Sequence, residues 1–162
     1  MAVNTKTSKD RRPLTLRTLD ELRAEVKRIA AAERAGRVRC AGNWTTGQVL
    51  GHLAFWMNTA FEWPKDFHVS ILFKILGPFM RRRMTETRMP SGVRIPGLNE
   101  GTLGIDLLSI DEGERRMLEA IDRLDRGTPP DRHMFLGKMT KEQWIKLNLR
   151  HAELHCSFVH VR

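Results

Sequence analysis

Apolar residues recur every three or four positions in four separate stretches of the chain, and each stretch opens with a helix-capping sequence. Thr18, Thr45, Ser109 and Thr140 are each followed three positions later by Glu or Gln. In this arrangement the hydroxyl and the carboxylate or amide can each bind a free backbone N–H at the start of a helix. The combined pattern predicts four amphipathic helices.

Glycine and proline mark the ends of these helices and the connections between them. The predicted stops of the first three helices are Gly36, Pro64 and Gly127. Residues 67–86 predict one or two short helical pieces broken near Gly77-Pro78, and the Gly- and Pro-containing stretch 87–108 predicts a long crossing loop. We therefore expect an all-α, four-helix up-and-down bundle with an additional short helical segment and a long crossing loop.

The length of 162 residues fits one domain. We expect residues 1–17 to form a flexible N-terminal lead-in and residues 18–162 to form the bundle. The formal charge of +9 and the sequence pI of about 10.4 raise the question of nucleic acid or anionic lipid as a partner. Part of this charge lies in the lead-in and part in Arg81–Arg83. It does not form one long stripe, so a solvated basic surface is favoured over nucleic-acid binding.

Two cysteines, Cys40 and Cys156, form no Cys-x-x-Cys pair or disulfide framework, which favours a reducing compartment. The polar start has no signal-peptide pattern, and the longest apolar segment is too short for a transmembrane helix. A cytoplasmic protein with no transmembrane segment is expected. The apolar residues between Phe67 and Met80 fit a homodimer interface, although an amphipathic segment with a basic end also fits a membrane surface.

Three histidines form the candidate chemical site. His151 and His155 are four residues apart on the last predicted helix, so their rings lie about 40° apart on one face. His52 lies on another predicted helix and is the best candidate for a third ligand. Three imidazoles leave coordination positions open, as in catalytic metal sites. The alternative is that these rings are buried and bound by backbone or carboxylate partners.

The remaining candidates carry less weight. His160 should point away from His151, about 180° round the same helix. His68 and His133 are expected at the surface or as capping residues, and Cys156 as a small buried hydrophobe. Glu153 does not directly follow His151, which argues against a zinc peptidase, and the absence of Glu-x-x-His argues against a di-iron carboxylate bundle.

The joint pattern of Asn43–Ala54, His133–Trp144 and His151–His155 resembles the DinB/YfiT-like four-helix proteins, in particular a branch catalogued only as a domain of unknown function. The resemblance implies a left-handed bundle with three histidines around a divalent metal, matching His52, His151 and His155. Relatives elsewhere in the superfamily are metal-dependent transferases or isomerases that use a low-molecular-weight thiol. Two positions depart from the pattern: Leu154 replaces a second adjacent His, and Met134 replaces a Pro.

The functional hypothesis is a divalent-metal protein, with Zn²⁺ or Ni²⁺ as the expected ion. It would act as a metal-dependent hydrolase or thiol transferase on a small-molecule or thiol substrate. No catalytic acid, base or nucleophile stands out beyond the three histidines. The alternative is therefore a non-catalytic bundle whose metal site is empty and which serves in binding or assembly.

Overall fold

The computed structural model describes residues 2–63, 71–95, 98 and 100–162, and this part of the chain is mainly helical. The helices are α1 (Leu19–Arg34), α2 (Thr46–Asn58), α3 (Ile71–Glu86), α4 (Ile110–Arg126) and α5 (Lys141–Cys156). The strands are β1 (Val38–Cys40), β2 (Arg132–His133), β3 (Gly137–Lys138) and β4 (Val159–Val161).

Helix α2 packs against both α4 and α5, while α1 lies against α4 and α3 against α5. Their facing sides form one hydrophobic core, in which Leu22, Leu50, Met117, Ile121 and Leu149 are almost completely buried. Removing this apolar surface from water is the main favourable contribution to folding. The core fixes α2 and α5 side by side, and these two helices carry the candidate histidines.

The predicted helix starts are confirmed. The side chains of Thr18, Thr45, Ser109 and Thr140 each accept a hydrogen bond from the backbone N–H three residues later. The reciprocal bond that completes a capping box is present in α2 and α5. In α1 the carboxylate of Glu21 instead accepts from the backbone N–H of Arg17.

The expected all-α class is wrong in detail, because the chain also forms two small antiparallel sheets. Strand β1 pairs with β4, and β2 pairs with β3. Helix α5 ends at Cys156, so His160 lies beyond the helix on which it was predicted. Strands of two or three residues are too short to show the alternation of apolar and polar positions from which a strand is predicted.

The predicted break near Gly77-Pro78 is also wrong, since α3 continues through both residues. A Cβ on Gly77 would lie 1.6 Å from the backbone oxygen of Phe135, and a Cβ on Gly137 would lie 3.2 Å from Cγ of Pro78. The Gly-Pro step therefore packs closely on the β2–β3 hairpin. This tertiary contact keeps the helix continuous although Pro78 removes one of its hydrogen bonds.

Several predictions fall partly or wholly outside the described residues. Pro64, His68 and residues 67–70 of the expected homodimer interface lie there, while α2 itself already ends at Asn58. On the described part of that interface Ile71, Ile75 and Phe79 are exposed. The homodimer stays a prediction. None of the described helices has a stretch long and apolar enough to cross a membrane.

The end of the predicted lead-in contacts the helical body. Leu16 is buried, and its backbone N–H donates to Oε1 of Glu153 at 2.7 Å. The Nε of Arg12 donates to the backbone oxygen of Val159 at 2.7 Å, and its guanidinium pairs with Glu25. These contacts place the chain before α1 against α5 and β4, next to the candidate site.

Candidate metal site

The three predicted histidines lie together between α2 and α5. His52 is 2% exposed, whereas His151 and His155 keep part of their surface open. One nitrogen from each ring can be chosen so that all three atoms lie within 4.8 Å of one another. His52 is 99 residues from His151 in the sequence, so the packing of α2 on α5 creates this cluster, which could hold one metal ion.

The ring of His52 has a defined orientation. Its Nδ1 lies 2.9 Å from the backbone oxygen of Leu103, in the loop between α3 and α4. A carbonyl can only accept, so Nδ1–H donates and Nε2 is left with a free lone pair. That Nε2 lies 3.3 Å from Nε2 of His151. A backbone carbonyl behind a histidine is the usual outer contact that orients a metal ligand.

The nitrogen distances suit one ion. With metal–nitrogen bonds of about 2.0–2.1 Å and tetrahedral angles, two ligand nitrogens of zinc lie roughly 3.3 Å apart. The two Nε2 atoms of His52 and His151 already have that separation. The ring centres of His151 and His155 are 4.7 Å apart, one helical turn along α5. A ring nitrogen of His155 lies within 4.8 Å of a nitrogen of each of the other two rings.

All three imidazoles are kept neutral by their surroundings. Burial lowers the pKa of His52 to about 4. Burial is also the main cause that lowers the pKa of His151, followed by the charge of His52. Burial is also the largest cause that lowers the pKa of His155, and the charges of His151, His52 and Arg11 lower it further. Neutral imidazole is the form that binds metal, so the site fits a cation without prior loss of a proton.

Two tryptophans enclose the cluster. The indole of Trp44 stacks on His155 with ring centres 5.1 Å apart and is tilted against His52, with ring centres 4.7 Å apart. Trp56 presents its ring edge-on to His52 and His151 at 6.3 and 6.5 Å. Its buried Nε1–H has no hydrogen-bond partner within the described ranges. The aromatic rings exclude water from part of the site and restrict the approach to it.

The carboxylate of Glu153 binds groups outside the histidine cluster. Its carboxylate accepts from the backbone N–H of Leu16 and pairs with Arg150 at 2.8 Å. This agrees with the expectation that it is not the general base of a zinc peptidase. The three-histidine group contains no carboxylate, so within the described chain the cluster is built from nitrogen ligands alone.

The other histidines lie outside the cluster. Of the two alternatives expected for His133, a surface or a capping residue, the first is wrong, because its ring is buried and packs on Trp144. Its capping role is confirmed, since Nδ1 accepts from the backbone N–H groups of Phe135 and Leu136. His160 lies in β4 with Nε2 3.1 Å from Asp10. Its predicted position away from the cluster is confirmed, although a strand and not a helix places it there.

Cys156, at the end of α5, is completely buried, as predicted. Burial raises the pKa of its thiol to about 12. A thiol of this kind stays protonated and is a poor nucleophile or metal ligand. Cys156 therefore does not supply the thiol that the resemblance implies.

Sequence reasoning missed four groups that contact or surround the cluster: Trp44, Trp56, Leu103 and Arg11. Trp56 follows His52 by four residues, so helical spacing alone could have placed it beside that ring. Leu103 acts through its backbone oxygen, which any residue could supply. No local pattern distinguishes Arg11 from the other basic residues before α1.

Comparison with known proteins identifies a family. A family model described as a protein of unknown function (DUF1569) matches residues 8–162, a range that includes all three clustered histidines. No curated protein and no solved structure gives a significant match. The DinB/YfiT-like resemblance therefore stays a prediction. Because the matched range covers nearly the whole sequence, the chain belongs to the DUF1569 family of proteins of unknown function.

Proposed function

We propose that this protein binds one divalent metal ion, Zn²⁺ or Ni²⁺, through His52, His151 and His155. The observation that carries the proposal is the convergence of three neutral imidazoles, one of them oriented by a backbone carbonyl. Imidazole ligands suit ions of intermediate softness such as zinc and nickel. Folding already holds the three rings in place, so metal binding costs less conformational entropy.

We infer that α1, α2, α4 and α5 correspond to the four helices of a DinB/YfiT-like bundle and that α3 is the additional piece. The contacts of α1 with α2, α4 and α5 support this arrangement, as does the position of α2 between α4 and α5.

Three protein ligands leave at least one coordination position open, as in catalytic sites.

The proposed activity is that of a metal-dependent hydrolase or thiol transferase. A divalent ion with an open position supplies Lewis acidity, which lowers the pKa of a water molecule or a thiol. The chain's own residues prepare the site: Leu103 fixes the ring of His52, and Trp44 and Trp56 shield the rings. The substrate is proposed to be a small molecule that approaches through the partly open side of His151 and His155.

The second candidate is a non-catalytic binding or assembly protein. It is favoured by the 3.3 Å contact between the Nε2 atoms of His52 and His151. If His151 donates there, the two rings satisfy each other without an ion, and together with Leu103 they form an internal hydrogen-bond chain. This candidate predicts that the protein binds no metal tightly.

The deciding experiment measures the metal content of tag-free protein after incubation with Zn²⁺ or Ni²⁺ and removal of excess ion. We expect about one ion per wild-type chain and almost none in the double variant His151→Ala/His155→Ala. The matched control is His160→Ala, which removes a histidine outside the cluster and should retain the ion. Equal, near-zero metal in the wild type and the double variant would overturn the proposal and favour the non-catalytic candidate.

A further inference from the structure

Arg11 lies beside the three-histidine cluster without a carboxylate partner. Its Nε donates to Oγ of Ser157 at 2.9 Å, and its guanidinium lies 5.0 Å from the centre of the Phe158 ring. Ser157 is only two residues past His155. Within the described chain, the terminal nitrogens Nη1 and Nη2 of Arg11 make no hydrogen bond or ion pair.

Three other arginines near this part of the fold each have a carboxylate partner. Arg12 pairs with Glu25, Arg28 pairs with the same carboxylate, and Arg150 pairs with Glu153. A partly buried cation with no counter-charge is unfavourable, because it gives up water without gaining an ion pair. Arg11 therefore differs from these three arginines.

A second cation strengthens the local positive field. Residues after α3 lie against the N-terminal segment, where Oγ of Ser91 donates to the backbone oxygen of Thr5 at 2.7 Å. This contact brings Arg88 near Arg11. Burial lowers the pKa of Arg11, and the charge of Arg88 lowers it further. Both charges therefore lie near the end of α5, where Arg11 is held by its bond to Ser157.

A purely structural role explains only part of this arrangement. The backbone carbonyls at the end of α5 favour a nearby cation, and the Nε bond to Ser157 ties the N-terminal segment to that helix end. Neither role uses Nη1 or Nη2, and neither atom belongs to the buried unpaired atoms of the described chain. Both remain accessible, and the planar guanidinium can bind two oxygens of a carboxylate or phosphate at once.

We propose that the ligand of this site carries an oxyanion, a carboxylate or phosphate group, which Arg11 binds through its two terminal nitrogens. The inference rests on the proposed metal function for the location of the reacting group. It adds the chemical class of the ligand and a specificity-determining residue. The apolar part of the ligand lies toward Trp44 and the histidines, and the anionic part lies toward Arg11 at the end of α5.

The test uses the full chain loaded with Co²⁺, whose visible spectrum reports changes at the metal. Acetate and inorganic phosphate are titrated separately, so that the two sources of an oxyanion are distinguished. The variants are Arg11→Gln, which removes the charge, and Arg11→Lys, which keeps the charge but loses the planar fork. The matched control is Arg17→Gln, an equal charge change at an exposed position of the same segment.

We expect opposite effects on the two ligands. Arg11→Gln should bind Co²⁺ about threefold more tightly, because a repelling charge is removed. It should bind the preferred anion about tenfold more weakly, because charge-assisted hydrogen bonds are lost. Arg11→Lys should fall between the wild type and Arg11→Gln for the anion, and Arg17→Gln should match the wild type. A parallel loss of cation and anion affinity would indicate a structural role and overturn the inference.

A further titration separates a failure of the metal proposal from a failure of the oxyanion inference. Phosphate and acetate are also titrated into metal-free protein, with the tryptophan fluorescence as the signal, since the Arg11 contact does not require the metal. Absence of Co²⁺ binding by the wild type would overturn the metal proposal while this second titration still decides the role of Arg11. Equal anion affinity in the wild type and Arg11→Gln, or no anion binding by the wild type, would overturn the oxyanion inference.

Discussion

His133 is a base that the fold holds in its neutral form. Its ring packs against Phe135 and Trp144, with ring centres 4.3 and 4.8 Å away. Burial lowers its pKa from the usual 6.5 to about 4. Between these two values an unfolded chain binds a proton at this position and the folded chain does not. The free energy of unfolding therefore rises with pH through this window.

The prediction is that His133→Asn removes part of the acid sensitivity of the fold. Asn can accept the same backbone hydrogen bonds through its side-chain oxygen but does not titrate. The stability that depends on neutral His133 is complete above pH 6.5 and is lost as the pH falls toward 4. Between pH 7 and 4 the wild type should lose about 3 kcal/mol more than the variant in urea unfolding experiments. Parallel pH profiles of the two proteins would contradict this assignment.

At the residue scale, the sequence predicts what depends on spacing along one helix. The proximity of His151 and His155 follows from their separation of four residues, and it is confirmed. The role of Arg11 depends on which segments of the chain meet at the end of α5, and no local rule contains that information. The burial of His133 was missed because it depends on the way the β2–β3 hairpin packs.

At the scale of elements, α2 and α4 approach each other through glycines. A Cβ on Gly47 would lie 2.2 Å from the backbone oxygen of Leu108, and a Cβ on Gly113 would lie 2.8 Å from the backbone oxygen of Gly47. Backbone atoms at a helix start cannot move aside without shifting the helix. At Gly51, one turn later on α2, the nearest atom is the end of the flexible Leu108 side chain at 2.5 Å.

These contacts predict different outcomes for two substitutions on the same helix. Gly47→Ala should lower the free energy of unfolding by about 2 kcal/mol, because the new methyl group overlaps backbone atoms of the chain before α4. Gly51→Ala should stay within about 1 kcal/mol of the wild type, since the Leu108 side chain can rotate and alanine favours the helix. Chemical denaturation of both variants measures the difference. Equal losses, or a larger loss at Gly51, would show that α2 and α4 are not packed this closely.

The helix starts could be predicted because a cap joins residues only three positions apart. Thr45 with Gln48 and Thr140 with Gln143 form complete capping boxes in the structure. The pairing of β1 with β4 joins residues more than a hundred positions apart and has no local signal. The continuity of α3 through Pro78 has the same origin, since its cause is a contact with the hairpin around Gly137.

At the scale of the whole molecule, the candidate metal site connects parts of the chain that are remote in sequence. His52 belongs to α2, His151 and His155 belong to α5, and Leu103 belongs to the loop between α3 and α4. An ion held by all three rings would be bound only when these segments are assembled. Metal binding would then be coupled to global unfolding and not to the stability of one helix.

The proposed metal site predicts a stabilisation that requires residues from both helices. At a free Zn²⁺ concentration about 100 times the dissociation constant, binding adds about 2.7 kcal/mol to the free energy of unfolding. For a chain of this size, that gain raises the melting temperature by roughly 5–10 °C.

Differential scanning calorimetry with Zn²⁺ and with EDTA should show the shift in the wild type and in His160→Ala. His52→Ala and His155→Ala should each lose most of it, because the loss of one ligand on either helix weakens the shared coordination. A shift that survives His52→Ala unchanged would place the ion on α5 alone, and the absence of any shift in the wild type would argue that the three rings satisfy one another without a metal.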